Sequence, residues 1–346
     1  MRGLVLYVGC YTAESGGKGE GISAVAVDPE SGVAVRLGVV APCASPSYLA
    51  WHPRLPVLYA VHEQADGGIG AWWVESATSL RPLGAWPTGG AEPCHIAVDP
   101  HGRHLVVTNY GSGSVALHPL DETGAVGERT DLLAHEGSGP DPDRQAGPHT
   151  HMSRFAGDDG SLLVVDLGCD AVFRHRVDEH TGRLTTTGDP VRTSPGAGPR
   201  HIAIDGSGRW YLSCELDGSV TFIDRPTVDP VPASVPASDH AGARAPAEIT
   251  LSADGRHLYV SNRGPDTVST FDLAGDRPRM VAEVPTGGHW PRHFAISGDL
   301  MFVANERSHS LTTFRIDPYT GEPHPIGAPL ETPSPTCVLP HGLAAW

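Results

Sequence analysis

The residues best equipped for chemistry in this chain are His149 and His151, Arg200, Glu215 and Arg263. Arginine offers a fixed positive charge and a planar set of donors that match a carboxylate or phosphate. Histidine moves a proton near neutral pH. A carboxylate such as Glu215 acts as a base, as an orienting group for histidine, or as the ion-pair partner of an arginine, and all three roles stay open at this level. Together these groups make a site for an anionic ester, with His149 and His151 as alternative proton carriers. Arg144, Gln145, His95, His201 and Arg292 are expected to bind the substrate around them.

A metal centre is the competing reading. His-x-His at 149–151 with a nearby carboxylate is a zinc-type donor set, and nineteen histidines is a high count. Arginines interleaved at the same positions oppose a cation, so the expectation is a site without metal or cofactor. A GxSxG elbow is absent from the sequence, which argues against a serine nucleophile. The GxG fragments and the terminal HGLAAW lie in the wrong context for nucleotide binding.

These residues recur at a fixed register of an internal repeat. PCHIAVDPHGRHLVVTNYGSGSVALHPL from Pro93, PRHIAIDGSGRWYLSCELDGSVTFI from Pro199 and PAEITLSADGRHLYVSNRGPDTVSTFDL from Pro246 are its clearest copies, with weaker ones from Ser47, Pro148 and Pro291. Aligned on Ala50, Ala97, Ser153, Ala203, Thr250 and Ala295, they repeat at roughly 45–56 residues, the period of a propeller blade. Each copy reads as a strand, a tight Asp/Ser-x-Gly turn, a second strand ending near Asn or Glu, a polar turn and a third strand. The variable tract that follows supplies a fourth.

A seventh unit is split between the ends: PSPTCVLP supplies its first strand, LVLYVGCYT and GISAVAVD the next two. Closing the ring in this way leaves no long unpaired edge. The expectation is therefore an all-β, seven-bladed β-propeller of four-stranded antiparallel blades, a single domain over residues 1–346 whose closing blade is shared by the two termini.

In such a ring one register maps onto one circle around the axis. Tyr48, His95, His149 with His151, Arg200 with His201, Glu248, Arg292 with His293, and Cys337 share the register before the first strand. Glu63, Asn109 with Tyr110, Asp166, Glu215, Asn262 with Arg263, and Glu306 with Arg307 share the end of the second. Residues that repeat are explained by structure, since buried polar groups satisfy backbone partners. Residues that differ between blades are the candidates for chemistry. Of two insertions, Glu136–His151 is the functional one, while the Pro/Ala-rich tract Arg225–Ala245 reads as an exposed loop.

A formal net charge of −16 opposes a nucleic-acid partner, whose phosphates need clustered Lys and Arg. The first residues form neither a secretory signal nor a membrane span. Six cysteines without a CxxC pair suit free thiols in the cytoplasm. A monomer with no nucleic-acid or membrane partner is expected.

The chain resembles the lactonase family with the seven-bladed propeller fold, the family of the propeller-type 6-phosphogluconolactonases. VGCYT, PCHIAVDP, TNYGSGSV, GPDPDRQAGPHTH, VDLGCD, GPRHIA, EITLSADGRHLYVSNRG, TGGHWPRHFAI and PTCV carry the likeness in order along nearly the whole chain. The resemblance implies either hydrolysis of a sugar-acid lactone such as 6-phosphogluconolactone or cycloisomerisation of a carboxylated muconate. The muconate branch implies a His, a Glu and two Arg, matching His149 or His151, Glu215, Arg200 and Arg263. Cys214 stands where the family usually has Asn, and Cys10 where it usually has Thr. The leading expectation is a metal-independent lactonase with an arginine anion clamp, acting on a small anionic lactone or carboxylate. A cycloisomerase and a non-catalytic binding module are the alternatives. Trp72, Trp73 and Trp290 are expected to pack between blades.

Overall fold

The computed structural model describes residues 3–178, 180–224 and 232–341. Seven antiparallel sheets follow one another around an axis. Blade one begins at Leu49–Trp51, blade two at Pro93–Val98, blade three at Thr150–Phe155 and blade four at Pro199–Ile204. Blade five begins at Ala245–Leu251, blade six at Pro291–Ser297 and blade seven at Pro335–Pro340. The closing blade pairs Pro335–Pro340 with Leu4–Cys10, then Gly21–Val27 and Ala34–Pro42, so both ends of the chain share it. Blade three carries a fifth short strand, Val191–Arg192, against Ala171–Val172.

The strand pattern follows from where each strand sits. Second strands such as His104–Asn109 and Ser161–Asp166 are packed on both faces by neighbouring blades and read as continuous apolar runs. Outer strands such as Ser79–Pro87 alternate between half-buried and exposed. Seven buried clusters fill the gaps between adjacent blades, for example Tyr59, Ile69, Ile96 and Val107 between blades one and two. Truncating one of these side chains to Ala costs about 2–5 kcal/mol.

The repeated turn has a physical cause as well. Asp99 accepts the backbone N–H groups of His101 and Arg103 at 2.7 Å, and Asp205 those of Ser207 and Arg209 at 2.8 and 3.0 Å. The chain then reverses through Gly102 and Gly208 at φ 72° and 86°, a region that favours glycine. Asn262 and Asn305, at the ends of second strands, donate to Ser269 at 2.9 Å and Thr312 at 3.1 Å on the third strands. Cys214 makes the same seven-residue step, its thiol 3.3 Å from the Thr221 hydroxyl, which is how the blade tolerates it in place of Asn.

The tract Arg225–Ala245 differs from the expected exposed loop. Residues 225–231 lie outside the described residues, as does the terminal run 342–346. Within the remainder, Ala233–Pro236 pairs with Ser219–Phe222 as the outer strand of blade four. Val235 and Ala237 join the cluster between blades four and five, and that burial holds the strand in place. All six cysteines are free, five of them buried. Among the described residues no helix is long and apolar enough to cross a membrane.

Candidate active site

All inner strands start at the same end of the axis, and a shared backbone device builds a cleft there. The residues preceding five inner strands take positive φ: Ser45 (37°), Glu92 (54°), Gly198 (59°), Trp290 (66°) and Ser334 (43°). Each turns its carbonyl to accept the N–H that ends a second strand, from Glu63, Tyr110, Glu215, Glu306 and Tyr11 at 2.8–3.1 Å. Tyr11, Glu63, Tyr110, Glu215, Arg263 and Glu306 then line one cleft of about 720 Å³.

A second device supplies the floor. The ladders between inner and second strands slip at Pro93/His95, Thr150/Met152, Pro199/His201 and Pro291/His293. Such bulges re-aim side chains and recur beside active sites. The residues skipped are Cys94, His151, Arg200 and Arg292, and all four face the cleft or the small cavity beneath it.

Glu215 is the electrostatic centre. Arg144 Nη2 donates to its Oε1 at 2.7 Å, Arg263 Nη2 to its Oε2 at 2.6 Å, and Arg200 Nε lies 3.4 Å from Oε2. Burial alone would push this carboxyl up, but Arg263, Arg200 and Arg144 hold it well below the usual carboxylate range. Arg200 keeps Nε and Nη1 without hydrogen-bond partners although it is only 4% exposed. Burial, then Arg263 and Arg292, lower it to about 10.

A mirrored arrangement stands opposite. Arg144 donates to the Tyr110 hydroxyl at 3.2 Å as well as to Glu215. On the other wall Arg292 donates to the Tyr11 hydroxyl at 2.5 Å, and that hydroxyl donates to Glu63 Oε1 at 2.7 Å. Glu63 is held by a phenol, where Glu215 is held by guanidiniums. Burial raises the Glu63 carboxyl, against the pull of Arg292.

Beneath the cleft one side chain from each blade meets on the axis. His151 lies 5.1 Å from His201 and His95 5.7 Å from His201, ring to ring. Tyr48 packs 4.2 Å from His95 and 5.5 Å from His293. Glu248 accepts from His201 at 3.0 Å and lies 3.3 Å from His293, whose ring is 4.0 Å from the Cys337 sulfur. Burial, reinforced by neighbouring cations and imidazoles, drives His95, His151 and His201 well below the ordinary histidine range and His293 to about 4. These rings are neutral at pH 7. His151 Nδ1 has no hydrogen-bond partner, and the ring borders both cleft and floor cavity beside the arginines.

The structure thus brings together His151, Glu215, Arg200, Arg263, Arg144 and Arg292. Four expected residues fall elsewhere. His149 stacks on Tyr110 with centroids 4.5 Å apart and its Nδ1 meets the Tyr110 carbonyl at 2.9 Å, so its ring braces the wall and does not line the cleft. Gln145 is fully buried, donating to the Leu167 carbonyl at 2.9 Å and to Asp170 at 2.8 Å, and fastens the loop that delivers Arg144. His95 and His201 belong to the axial ring below. Trp290, expected in the core, lines the cleft, whereas Trp72 and Trp73 pack between blades. Tyr11 is a cleft residue outside the expected set, although VGCYT sets it one residue past its strand end, the position of Glu63 and Glu215. Among the described residues no three His, Cys, Asp or Glu groups are arranged to hold a metal ion.

Fold and site together define a propeller with a guanidinium-lined cleft at one end of its axis. The chain belongs to the lactonase family of seven-bladed β-propellers, whose family model matches residues 5–340. It is 31% identical over 353 residues to the 6-phosphogluconolactonase of Bacillus subtilis, covering 98% of each chain. It is also 31% identical to the 6-phosphogluconolactonase of Formosa agariphila, over 92% of this chain and 94% of that one. The solved periplasmic gluconolactonase of Pseudomonas aeruginosa superimposes with a TM-score of 0.89 at 29% identity, covering 97% of this chain and 98% of the other.

Proposed function

We propose that this chain hydrolyses a sugar-acid lactone, with His151 as general base and the cleft arginines as clamp for the substrate's negative charge. The observation that carries the reading is an imidazole, held neutral by burial and unpartnered at Nδ1, beside Arg200, a buried guanidinium with two unpaired donors. Water loses its proton to His151 as its oxygen bonds to the lactone carbonyl carbon. The resulting oxyanion is stabilised by Arg200, whose donors act in a dry site where they are worth most. The ring C–O bond then breaks, and the leaving oxygen takes the proton back from His151. Water and lactone give the open hydroxy acid, with no covalent intermediate. Glu215 holds Arg144, Arg200 and Arg263 in register; three guanidiniums make it a poor base. This scheme assigns the charge stabilisation to guanidiniums and needs no metal.

The relatives named for 6-phosphogluconolactone and gluconolactone support the substrate class. Buried free thiols suit a reducing compartment. We propose that the chain acts in the cytoplasm as a monomer on a small anion, without nucleic-acid or membrane partner.

The test is NMR-monitored opening of 6-phosphogluconolactone and gluconolactone, with and without chelator. Opening above the spontaneous rate that survives chelation and is lost in His151→Asn supports the reading. Lactone formation from a muconate without any lactone opening would replace it with a cycloisomerase.

A further inference from the structure

Relatives at nearly the same identity are named for a phosphorylated and for an unphosphorylated lactone, and one arginine of the cleft stands apart from the other arginines of the site. Arg144, Arg200, Arg263 and Arg292 each lie within 3.4 Å of a carboxylate oxygen. Arg307 also lines the cleft, yet among the described residues it has no carboxylate partner. Its guanidinium lies 3.5 Å from the ring centroid of Trp290, and Arg263 lies 5.5 Å from the same ring. Arg307 is exposed, whereas His151 and Arg200 on the floor are buried.

The platform is an exception within the repeat. Trp290 holds a backbone φ of 66°, and the equivalent positions of other blades carry Ser45, Glu92, Gly198 and Ser334. A bulky side chain there is a true outlier, and such strain clusters at ligand sites. Asp266 maintains it by accepting the Trp290 N–H at 2.8 Å and pairing with His289 at 2.5 Å. The indole presents Arg307 as a flat, oriented donor set without neutralising it.

We propose that Arg307, laid on Trp290, reads a phosphoryl group carried by the substrate at the end distal to its lactone carbonyl. A phosphoryl dianion is costly to strip of water, so it remains at the exposed rim while the ring descends to the floor. The lactone that fits is one bearing a terminal phosphate. This inference rests on the hydrolytic reading for the identity of the ligand but is tested by binding alone.

Calorimetric titration of the full chain with 6-phosphogluconate and with gluconate, the open-chain products, provides the test. Wild type binds the phosphorylated acid at least about tenfold more tightly, and Arg307→Gln brings the ratio of affinities close to one. Trp290→Gly, which suits the positive φ and removes the platform, lowers the ratio in the same direction while circular dichroism confirms the fold. Equal wild-type affinities, or a ratio that survives in Arg307→Gln, would overturn the proposal. Absence of lactone opening with an Arg307-dependent ratio intact would sink the hydrolytic reading and leave the phosphoryl subsite standing.

Discussion

Arg200 and Glu215 form an ion pair without a hydrogen bond: Arg200 Nε lies 3.4 Å from Glu215 Oε2, and the guanidinium keeps Nε and Nη1 free in a buried floor. Glu215 spends its lone pairs on Arg144 and Arg263 instead. The carboxylate therefore steadies Arg200 by charge while leaving two of its donors unpaired.

Glu215→Gln should remove that charge without changing shape. Taking away one partner of a buried ion pair costs about 3–5 kcal/mol, and displaced arginines should lower kcat/KM by about a hundredfold or more. The folded-state carboxyl is depressed, so its stabilisation is complete above the unfolded value of about 4.3 and is lost as pH falls below it. Urea unfolding of both proteins from pH 7 to pH 3 checks this: the gap between them should be constant at the upper end and shrink at the lower.

His151→Asn should lower kcat by about 10²–10⁴. The neutral ring persists well below the ordinary imidazole range, so wild-type kcat, corrected for spontaneous opening, should stay flat between about pH 6 and 8. An inflection near pH 6.5 would point to an imidazole outside the axial ring as the base.

The axial histidines should also govern acid stability. His95, His151, His201 and His293 are all depressed in the folded chain, so the unfolded chain binds more protons once pH drops below about 6.5. Stability should rise with pH across that window, with a slope of up to about 1.4 kcal/mol per pH unit for each ring. Glu248, raised by burial, opposes this from its unfolded value near 4.3 upward to its raised folded value. Denaturant midpoints between pH 7 and 5 measure the slope, and His95→Gln should make it shallower.

Gln145→Ala should act through the loop. Removing its amide leaves Asp170 and the Leu167 carbonyl without that donor, a loss of about 1–3 kcal/mol. Arg144 then loses its fixed approach to Glu215, so kcat/KM falls and proteolysis within residues 136–148 accelerates. A weaker affinity for product with unchanged proteolysis would instead place Gln145 in contact with the ligand.

Several features were written in the sequence because the propeller is periodic. Strand runs such as HLVVTN and SLLVVD, Asp-anchored turns and the split closing unit depend on local patterning, and each appears in the structure where the repeat places it. The comparison of registers also singled out Arg200, Glu215 and Arg263, since residues that break a repeat are visible without coordinates. What only the tertiary structure decided is direction. One skipped residue in an inner ladder turns Arg292 onto the cleft and Arg200 onto the cavity beneath it, while His201 and His293 meet on the axis. The same slip selects His151 over His149, whose ring is taken up by Tyr110. Strict alternation of side chains cannot reveal a bulge, because the slip is set by pairing with another strand. The burial that neutralises His151 and the positive φ that lifts Trp290 to the rim likewise arise only when seven blades close around one axis.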